Sequence, residues 1–76
     1  MVIAYVMVKA YTGEADRLKR EIEAVEGVVS AHIVAGDVDV IARVDVETPA
    51  DVRQVAAAEI QSIDGVEDTT TYIAME

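Results

Sequence analysis

Residues 2–8, VIAYVMV, and residues 40–46, VIARVDV, carry the same alternating pattern thirty-eight positions apart. Valine or alanine occupies every second position in both segments, beginning at Val2 and Val40. Alternation with a period of two is typical of a β-strand that buries one face. The two segments therefore predict two equivalent strands, which is the first sign of an internally repeated fold.

The repeat continues beyond these strands in the same register. Glu21-Ile22 matches Glu59-Ile60, and Gly27-Val28 matches Gly65-Val66. Strand, helix and turn residues that match in one register indicate two similar β-α-β halves. The predicted elements are strands over residues 2–9, 28–35, 38–46 and 66–75 and helices over residues 14–25 and 49–62. This order, β-α-β-β-α-β, predicts a ferredoxin-like α+β sandwich with four antiparallel strands and both helices on one face.

Start and stop signals frame the two predicted helices. Thr12 or Gly13 is placed to cap the first, while Thr48 caps the second and Pro49 fills its first helical position. Gly27 and Gly65 follow the two helices, where glycine tolerates a left-handed backbone. Apolar residues at helical spacing predict the buried sides as Ala15, Leu18, Ile22 and Val25, and Val52, Val55, Ala56, Ile60 and Ile63.

Composition limits the range of functions. The 76 residues predict one domain spanning residues 1–76, with a core too small to leave much stability in reserve. The chain has no cysteine, so association with a partner is the expected source of further stability. Its net charge of −9 disfavours direct nucleic-acid binding and is compatible with a high-salt host. Without a membrane-length apolar run or a signal-peptide pattern, we expect a soluble cytoplasmic protein with no membrane partner.

The second face of the first strand is also apolar. Ile3, Tyr5 and Met7 alternate with the residues predicted to lie under the helices. A face open to water would be polar there, so the pattern predicts a dimer that packs sheet to sheet. Arg43 and Asp45 make the equivalent face of the third strand more polar, and the alternative is a few exposed apolar residues without a partner.

Residues 36–39, Gly-Asp-Val-Asp, are the most informative motif. One interpretation is a hairpin turn in which Gly36 supplies the backbone twist and the aspartates face water. The other is a ligand site, where Asp37 and Asp39 attract an ammonium group and N–H groups near Gly36 hold a carboxylate. Two carboxylates are too few for a calcium site.

Thr69 and Thr71 share one face of the last strand and have no counterpart in the repeat. Strand propensity alone explains threonine at these positions. Their hydroxyl groups would also suit a carboxylate. Because the two halves differ at this strand and at residues 36–39, these are the places where function is expected.

Catalytic chemistry has little support in the sequence. No nucleophile and base are paired, and the single histidine, His32, cannot form a zinc site without further ligands. We therefore predict no catalytic residues, no metal and no cofactor. A small ferredoxin-like enzyme that uses His32 or Tyr5 remains an alternative, and it would need a cavity between sheet faces.

The Gly36-Asp37-x-Asp39 run and the closing Asp64-Gly65-Val66-x-x-Thr69-x-Thr71-x-Ile73 resemble the effector-binding RAM domain of the Lrp/AsnC (feast/famine) regulators. The resemblance covers essentially the whole chain. It implies a transcription regulator that binds an amino acid or a related metabolite. The implied ligand site comprises Gly36, Asp37 and Asp39, backbone atoms of Val34 and Ala35, and the strand with Thr69 and Thr71.

The same resemblance implies an assembly. Domains of this family pair sheet to sheet, here through Ile3, Tyr5 and Met7, and the dimers form rings, commonly of eight subunits. Full-length members carry a helix-turn-helix before this domain, whereas Met1 here leads directly into the first strand. The chain therefore resembles a stand-alone RAM domain that modulates transcription through assembly with itself or with a full-length regulator. A purely structural oligomerisation module without ligand is the alternative.

Overall fold

In a computed structural model, which describes residues 1–11 and 13–75, the predicted order of elements is present. The elements are β1 (Val2–Ala10), α1 (Ala15–Glu23), β2 (Val28–Ile33), β3 (Val40–Val46), α2 (Pro49–Arg53) with a π-helical continuation (Gln54–Ile60), and β4 (Val66–Ile73). The continuation is called the π segment below. Among the described residues, no helix has the length and apolar character that a membrane crossing requires.

The four strands form one antiparallel sheet in the order β2-β3-β1-β4. The repeated strands β1 and β3 lie side by side at its centre, with Val2 opposite Val46 and Val8 opposite Val40. Helix α1 packs mainly on β2, and α2 packs on β3 and β1. Both helices cover the same face, so the ferredoxin-like sandwich predicted from the repeat is confirmed.

The core lies between this inner face of the sheet and the helices. Its strand residues are small: Ala4, Val6 and Val8 of β1 are fully buried, as are their counterparts on β3. The bulk comes from the helices, through Leu18 and Ile22 on one side and Ile60 on the other. The buried apolar set is Ala4, Val6, Val8, Leu18, Ile22, Ala31, Val40, Ala42, Val44, Val52, Val55, Ala56 and Ile60.

The two helix starts differ in how well the sequence predicts them. Thr48 caps α2 as predicted: its Oγ1 accepts a hydrogen bond from the Asp51 N–H, and Asp51 Oδ2 accepts one from the Thr48 N–H, both at 3.2 Å. Helix α1 has Glu14 at its N-cap, without a side-chain cap, so the prediction of Gly13 is wrong. Gly13 instead lies in the preceding turn, and Thr12 lies outside the described residues.

The second helix changes its winding after one and a half turns. From Gln54 to Ile60 it follows the wider π geometry, and the Gln61 N–H donates to the Ala56 carbonyl five residues back. The sequence predicts a uniform helix over residues 49–62 instead. Apolar spacings of three and four suit either winding, because a wider turn still directs Val55, Ala56 and Ile60 toward the sheet.

Three strands are shorter than predicted. β2 ends at Ile33 rather than at residue 35, and β4 ends at Ile73 rather than at residue 75. β3 also begins two residues later than predicted, at Val40. Between β2 and β3 the cause of this shortening is local. The ladder closes at a hydrogen bond from the Val34 N–H to the Asp39 carbonyl, and the chain bends between these two residues.

Gly27 and Gly65 occupy equivalent loops of the two halves with nearly equal φ angles of +100° and +103°. A Cβ at Gly27 would lie 3.0 Å from Val55 Cγ2 and 3.1 Å from Val46 Cγ1. Beside Gly65, Arg17 donates to the Asp64 carbonyl at 2.7 Å. Hydrogen bonds to Glu14 and Glu21 raise the pKa of Arg17, which therefore stays charged as it ties α1 to the loop before β4.

Gly27→Ala should lower the free energy of unfolding by about 1–3 kcal/mol, because it combines a left-handed backbone with a crowded Cβ. Gly36→Ala is the matched control and should change it by less than about 0.5 kcal/mol, since Gly36 has neither constraint. Urea unfolding at one fixed protein concentration measures both. Equal losses in the two variants would contradict this account.

Candidate functional site

The predicted ligand loop is a hairpin at one end of the sheet. Its closing hydrogen bond, 2.9 Å from the Val34 N–H to the Asp39 carbonyl, leaves four loop residues, 35–38. The N–H groups of these four residues make no hydrogen bond within the described part of the chain. They are free to donate to an anion, which is the property that the sequence predicts near Gly36.

Gly36 does not act as the predicted turn residue. Its φ is outside the left-handed region, and a Cβ built on it would meet nothing within 4 Å. The idea that glycine supplies the twist of this hairpin is therefore wrong. Neither backbone conformation nor contact within the protomer requires glycine here, so any need for it comes from something that approaches the loop from outside.

Asp39 has a structural task that the sequence did not reveal. Its Oδ2 accepts a hydrogen bond of 2.8 Å from the Ala10 N–H, at the bulge where the pairing of β1 with β4 shifts register. Its own N–H donates to the Val8 carbonyl at 3.0 Å. The half-buried Asp39 is thus held in place, whereas Asp37 is exposed. This role of Asp39 arises from the bulge in β1, and the alternation of residues along a strand does not indicate a bulge.

Strand β4, which carries Thr69 and Thr71, reaches the same end of the sheet as the loop, and β1 lies between β4 and β3. Thr69 lies opposite Val8 on β4, and Val40 lies opposite Val8 on β3, so about 10 Å separates Thr69 from the start of β3. Thr69 is half-buried on the helix side, and Thr71 is exposed one residue pair further along, opposite Val6. Thr69 is therefore near the loop, and Thr71 is more distant.

Val34, one of the predicted ligand contacts, is only partly available to a ligand. The Val34 N–H is used by the hairpin, so only the Val34 carbonyl remains for a ligand, whereas Ala35 keeps its N–H free among the described residues. The predicted loop therefore supplies backbone donors on residues 35–38, with Asp37 and Asp39 as carboxylates in or next to the same segment.

The face of the sheet opposite the helices, called the outer face below, carries the other predicted residues. Tyr5 lies between Arg43 on β3 and Tyr72 on β4, and Met7 lies between Ile41 and Thr70. Tyr5 is 39% exposed, and Tyr72 is 58% exposed. Ile3 and Met7 are half-buried. Apolar side chains thus continue from β1 across the middle of the outer face.

A larger cleft lies at the end of the sheet away from the loop. Its volume is about 620 Å³, and five of its nine lining residues are acidic: Glu26, Asp45, Glu47, Asp51 and Glu59. Among the described residues, no three His, Asp or Glu side chains are placed so that they could hold a metal ion together, and this includes the carboxylates of the cleft. His32 is exposed on the outer face of β2, opposite Ile41.

Comparison with known proteins agrees with this fold. The Lrp/AsnC ligand binding domain model matches residues 3–76. A leucine-responsive regulatory protein of Haemophilus influenzae is 26% identical over 76 residues, which are the whole of this chain and 46% of that protein. The chain therefore spans about half the length of this curated relative.

Solved structures share the fold. A protein of Thermus thermophilus superposes with a TM-score of 0.95 at 26% identity and covers 100% of this chain and 95% of its own. A transcriptional regulator of Neisseria meningitidis in complex with L-Met superposes with a TM-score of 0.84 at 14% identity, over 99% of this chain and 50% of that chain.

The fold, together with the family match over residues 3–76, defines the chain as a ligand-binding domain of the class found in regulators. It belongs to the Lrp/AsnC ligand-binding domain family. That family provides regulators rather than enzymes.

Asp39→Ala should lower the free energy of unfolding by about 1–3 kcal/mol, because the half-buried Ala10 N–H loses its acceptor. Asp39→Asn keeps an oxygen at that position and should retain most of the stability. Asp37→Ala, in the exposed neighbour, should stay within about 0.5 kcal/mol of the parent chain. Urea unfolding that finds Asp37→Ala as costly as Asp39→Ala would refute the structural role of Asp39.

Proposed function

We propose that this chain is a RAM-type sensor that binds a free amino acid or a related metabolite at the loop 34–39 end of its sheet. The observation that carries the proposal is a hairpin beside two carboxylates, in which the four backbone N–H groups of residues 35–38 have no hydrogen-bond partner among residues 1–11 and 13–75. A group of donors next to acidic oxygens suits a zwitterion, because its carboxylate and its ammonium need opposite partners within a few ångströms.

Each predicted residue has a role in this binding mode. The α-carboxylate accepts hydrogen bonds from the loop N–H groups around Gly36, whose missing side chain leaves room for close approach. The ammonium group contacts Asp37 and Oδ1 of Asp39, an oxygen that accepts no hydrogen bond from the described residues. Thr69 and Thr71 supply hydroxyl groups from β4, and the Val34 carbonyl offers a further acceptor.

Assembly is the second part of the proposal. The outer face pairs with that of a second copy through Ile3, Tyr5 and Met7, and the dimers join into a ring, of eight subunits or similar size, with ligands between dimers. The exposed aromatic rings of Tyr5 and Tyr72 support this, since apolar patches of this kind mark interaction surfaces. The fold of a regulator solved with L-Met supports amino-acid binding.

In this proposal residues 1–76 work as one domain in the cytoplasm. The domain modulates transcription through assembly with itself or with a full-length Lrp/AsnC regulator, and it makes no direct contact with nucleic acid because of its −9 charge. An enzyme that uses His32 or Tyr5 has less support, since both side chains are exposed rather than enclosed.

Screening the twenty amino acids by thermal unfolding tests the ligand. At a hundredfold excess over Kd, binding to the folded state alone adds about 2.7 kcal/mol, which raises Tm by about 10 °C or more in a domain of this size. Asp37→Asn and Gly36→Ala should lose this shift while they keep the Tm of the ligand-free chain. Glu47→Gln, an exposed carboxylate at the other end of the sheet, is the matched control.

A Tm that responds to none of the twenty amino acids, together with an assembly mass that they leave unchanged, would favour a purely structural oligomerisation module. In that case residues 36–39 are only a turn. Loss of the shift in Glu47→Gln as well as in Asp37→Asn would indicate a general charge effect rather than a site.

Tyr5→Asp tests the outer-face dimer. A charge at the middle of a desolvated apolar interface should weaken self-association by about 2 kcal/mol or more, roughly thirtyfold in Kd. Tyr11→Asp makes the same change at an exposed tyrosine outside the outer face and should leave association unchanged. Sedimentation equilibrium measures both. Identical masses for the two variants and the parent would exclude this face as the dimer contact.

A further inference from the structure

The free edge of β4 is a second surface, whose backbone groups neither the ligand site nor the outer face uses. Within the part of the chain that the structure describes, β4 pairs only with β1, and the Ala74 N–H donates to the Ile3 carbonyl at 2.8 Å. Bonded and non-bonded pairs alternate along an antiparallel ladder, so residues 70 and 72 also face β1. The N–H and C=O groups of residues 69, 71 and 73 therefore point outward.

An apolar groove runs along this same edge. It has a volume of about 280 Å³ and lies between β4 and the second helix, with Thr71 and Ile73 on one wall and Val52 and Ala56 among the residues opposite. Ile73 is 43% exposed, and Met75, just beyond the strand, is 93% exposed. The structure thus combines outward backbone groups with an apolar groove, which is the arrangement that accepts an added β-strand.

Charge indicates which strand fits. The chain has a net charge of −9, so two copies repel each other wherever their carboxylates approach. Residues 69–75, TTTYIAM, carry no charge, whereas Glu67 and Asp68 precede this strip in the sequence and Glu76 follows it. The same strip supplies both the outward edge and the exposed apolar side chains Ile73 and Met75. It is therefore complementary to itself, as a two-fold contact requires.

We propose that a second copy of this chain adds its β4 antiparallel to the β4 edge, in the register that sets Ile73 opposite the partner's Ile73. Hydrogen bonds form in every register that sets outward residues opposite outward residues, and these registers have their centres at residues 69 to 73. A centre at Thr70 sets Ile73 opposite the partner's Glu67, and a centre at Tyr72 sets Ile73 opposite the partner's Thr71, so neither pairs two apolar side chains. A centre at Thr69 brings the two Asp68 carboxylates together, and a centre at Thr71 presents threonines to the groove. The centre at Ile73 brings the partner's Ile73 and the partner's Met75 beside the groove and keeps Glu67 and Asp68 outside the contact.

This pairing makes one continuous eight-stranded sheet with all helices on one side. The outer face stays open, because a two-fold axis perpendicular to the sheet leaves the faces of both copies unchanged. The contact is therefore independent of the sheet-to-sheet dimer. Two different two-fold contacts on one chain generate assemblies larger than a dimer.

Cysteine cross-linking tests both the edge and its register, since the chain has no cysteine of its own. A hydrogen-bonded antiparallel pair separates its Cα atoms by about 5.5 Å, within the range that a disulfide spans. Under mild oxidation, Ile73→Cys should give about tenfold more covalent dimer on a non-reducing gel than Thr71→Cys, whose two copies would lie about 13 Å apart in this register. Val29→Cys, at an exposed position on the opposite edge, gives the background.

Efficient cross-linking of Thr71→Cys without that of Ile73→Cys would overturn the register, and cross-linking of both at the Val29→Cys level would overturn the contact. Ile73→Lys should also lower the assembly mass in light scattering, whereas Val29→Lys should leave it unchanged. An unchanged mass for Ile73→Lys would equally overturn the contact. Circular dichroism on each variant confirms that it is folded. Tyr5→Asp and the amino-acid screen address the outer face and the ligand, so their failure is distinct from failure here.

Discussion

The pairing of β1 with β3 at the centre of the sheet is the constraint on which the rest of the structure depends. The two strands carry the same inner residues in opposite directions, with Val2 opposite Val46 and Val8 opposite Val40. Because every inner side chain is valine or alanine, the helices approach closely, and Leu18, Ile22 and Ile60 fill the space above. A shift in register by one residue would turn these valines toward the outer face and bury Tyr5 and Arg43 in the core.

The repeated pattern of inner side chains also explains why the fold was predictable. Details that this pattern does not contain were not predictable. Strand alternation and helix spacing each repeat in both halves, so one half supports the assignment of the other. The capping box at Thr48 and the left-handed glycines, Gly27 and Gly65, follow from local chemistry that sequence alone reveals. The N-cap of α1 is a backbone arrangement around Glu14 and carries no such signal.

The candidate site was predictable as a place and less so in its contacts. Divergence between the halves indicated residues 36–39 and the threonine strand, and the structure brings the loop and Thr69 to one end of the sheet. Two assignments depended on hydrogen bonds that the sequence pattern does not indicate. The Val34 N–H is used by Asp39, and Asp39 supports Ala10, twenty-nine positions away along the chain. Neither a bulge in β1 nor the partner of a backbone N–H follows from periodicity or composition.

Charge divides the molecule into surfaces with different uses. Five carboxylates surround the cleft at one end of the sheet, whereas the outer face is apolar along Ile3, Tyr5 and Met7 and residues 69–75 carry no charge. In a chain with a net charge of −9, self-association is least costly where charges are fewest. The small core gives a further reason for association, because a chain of this length buries a modest fraction of its surface alone. If the effector binds between copies, its binding and the assembly are linked in free energy, and each strengthens the other to the same extent.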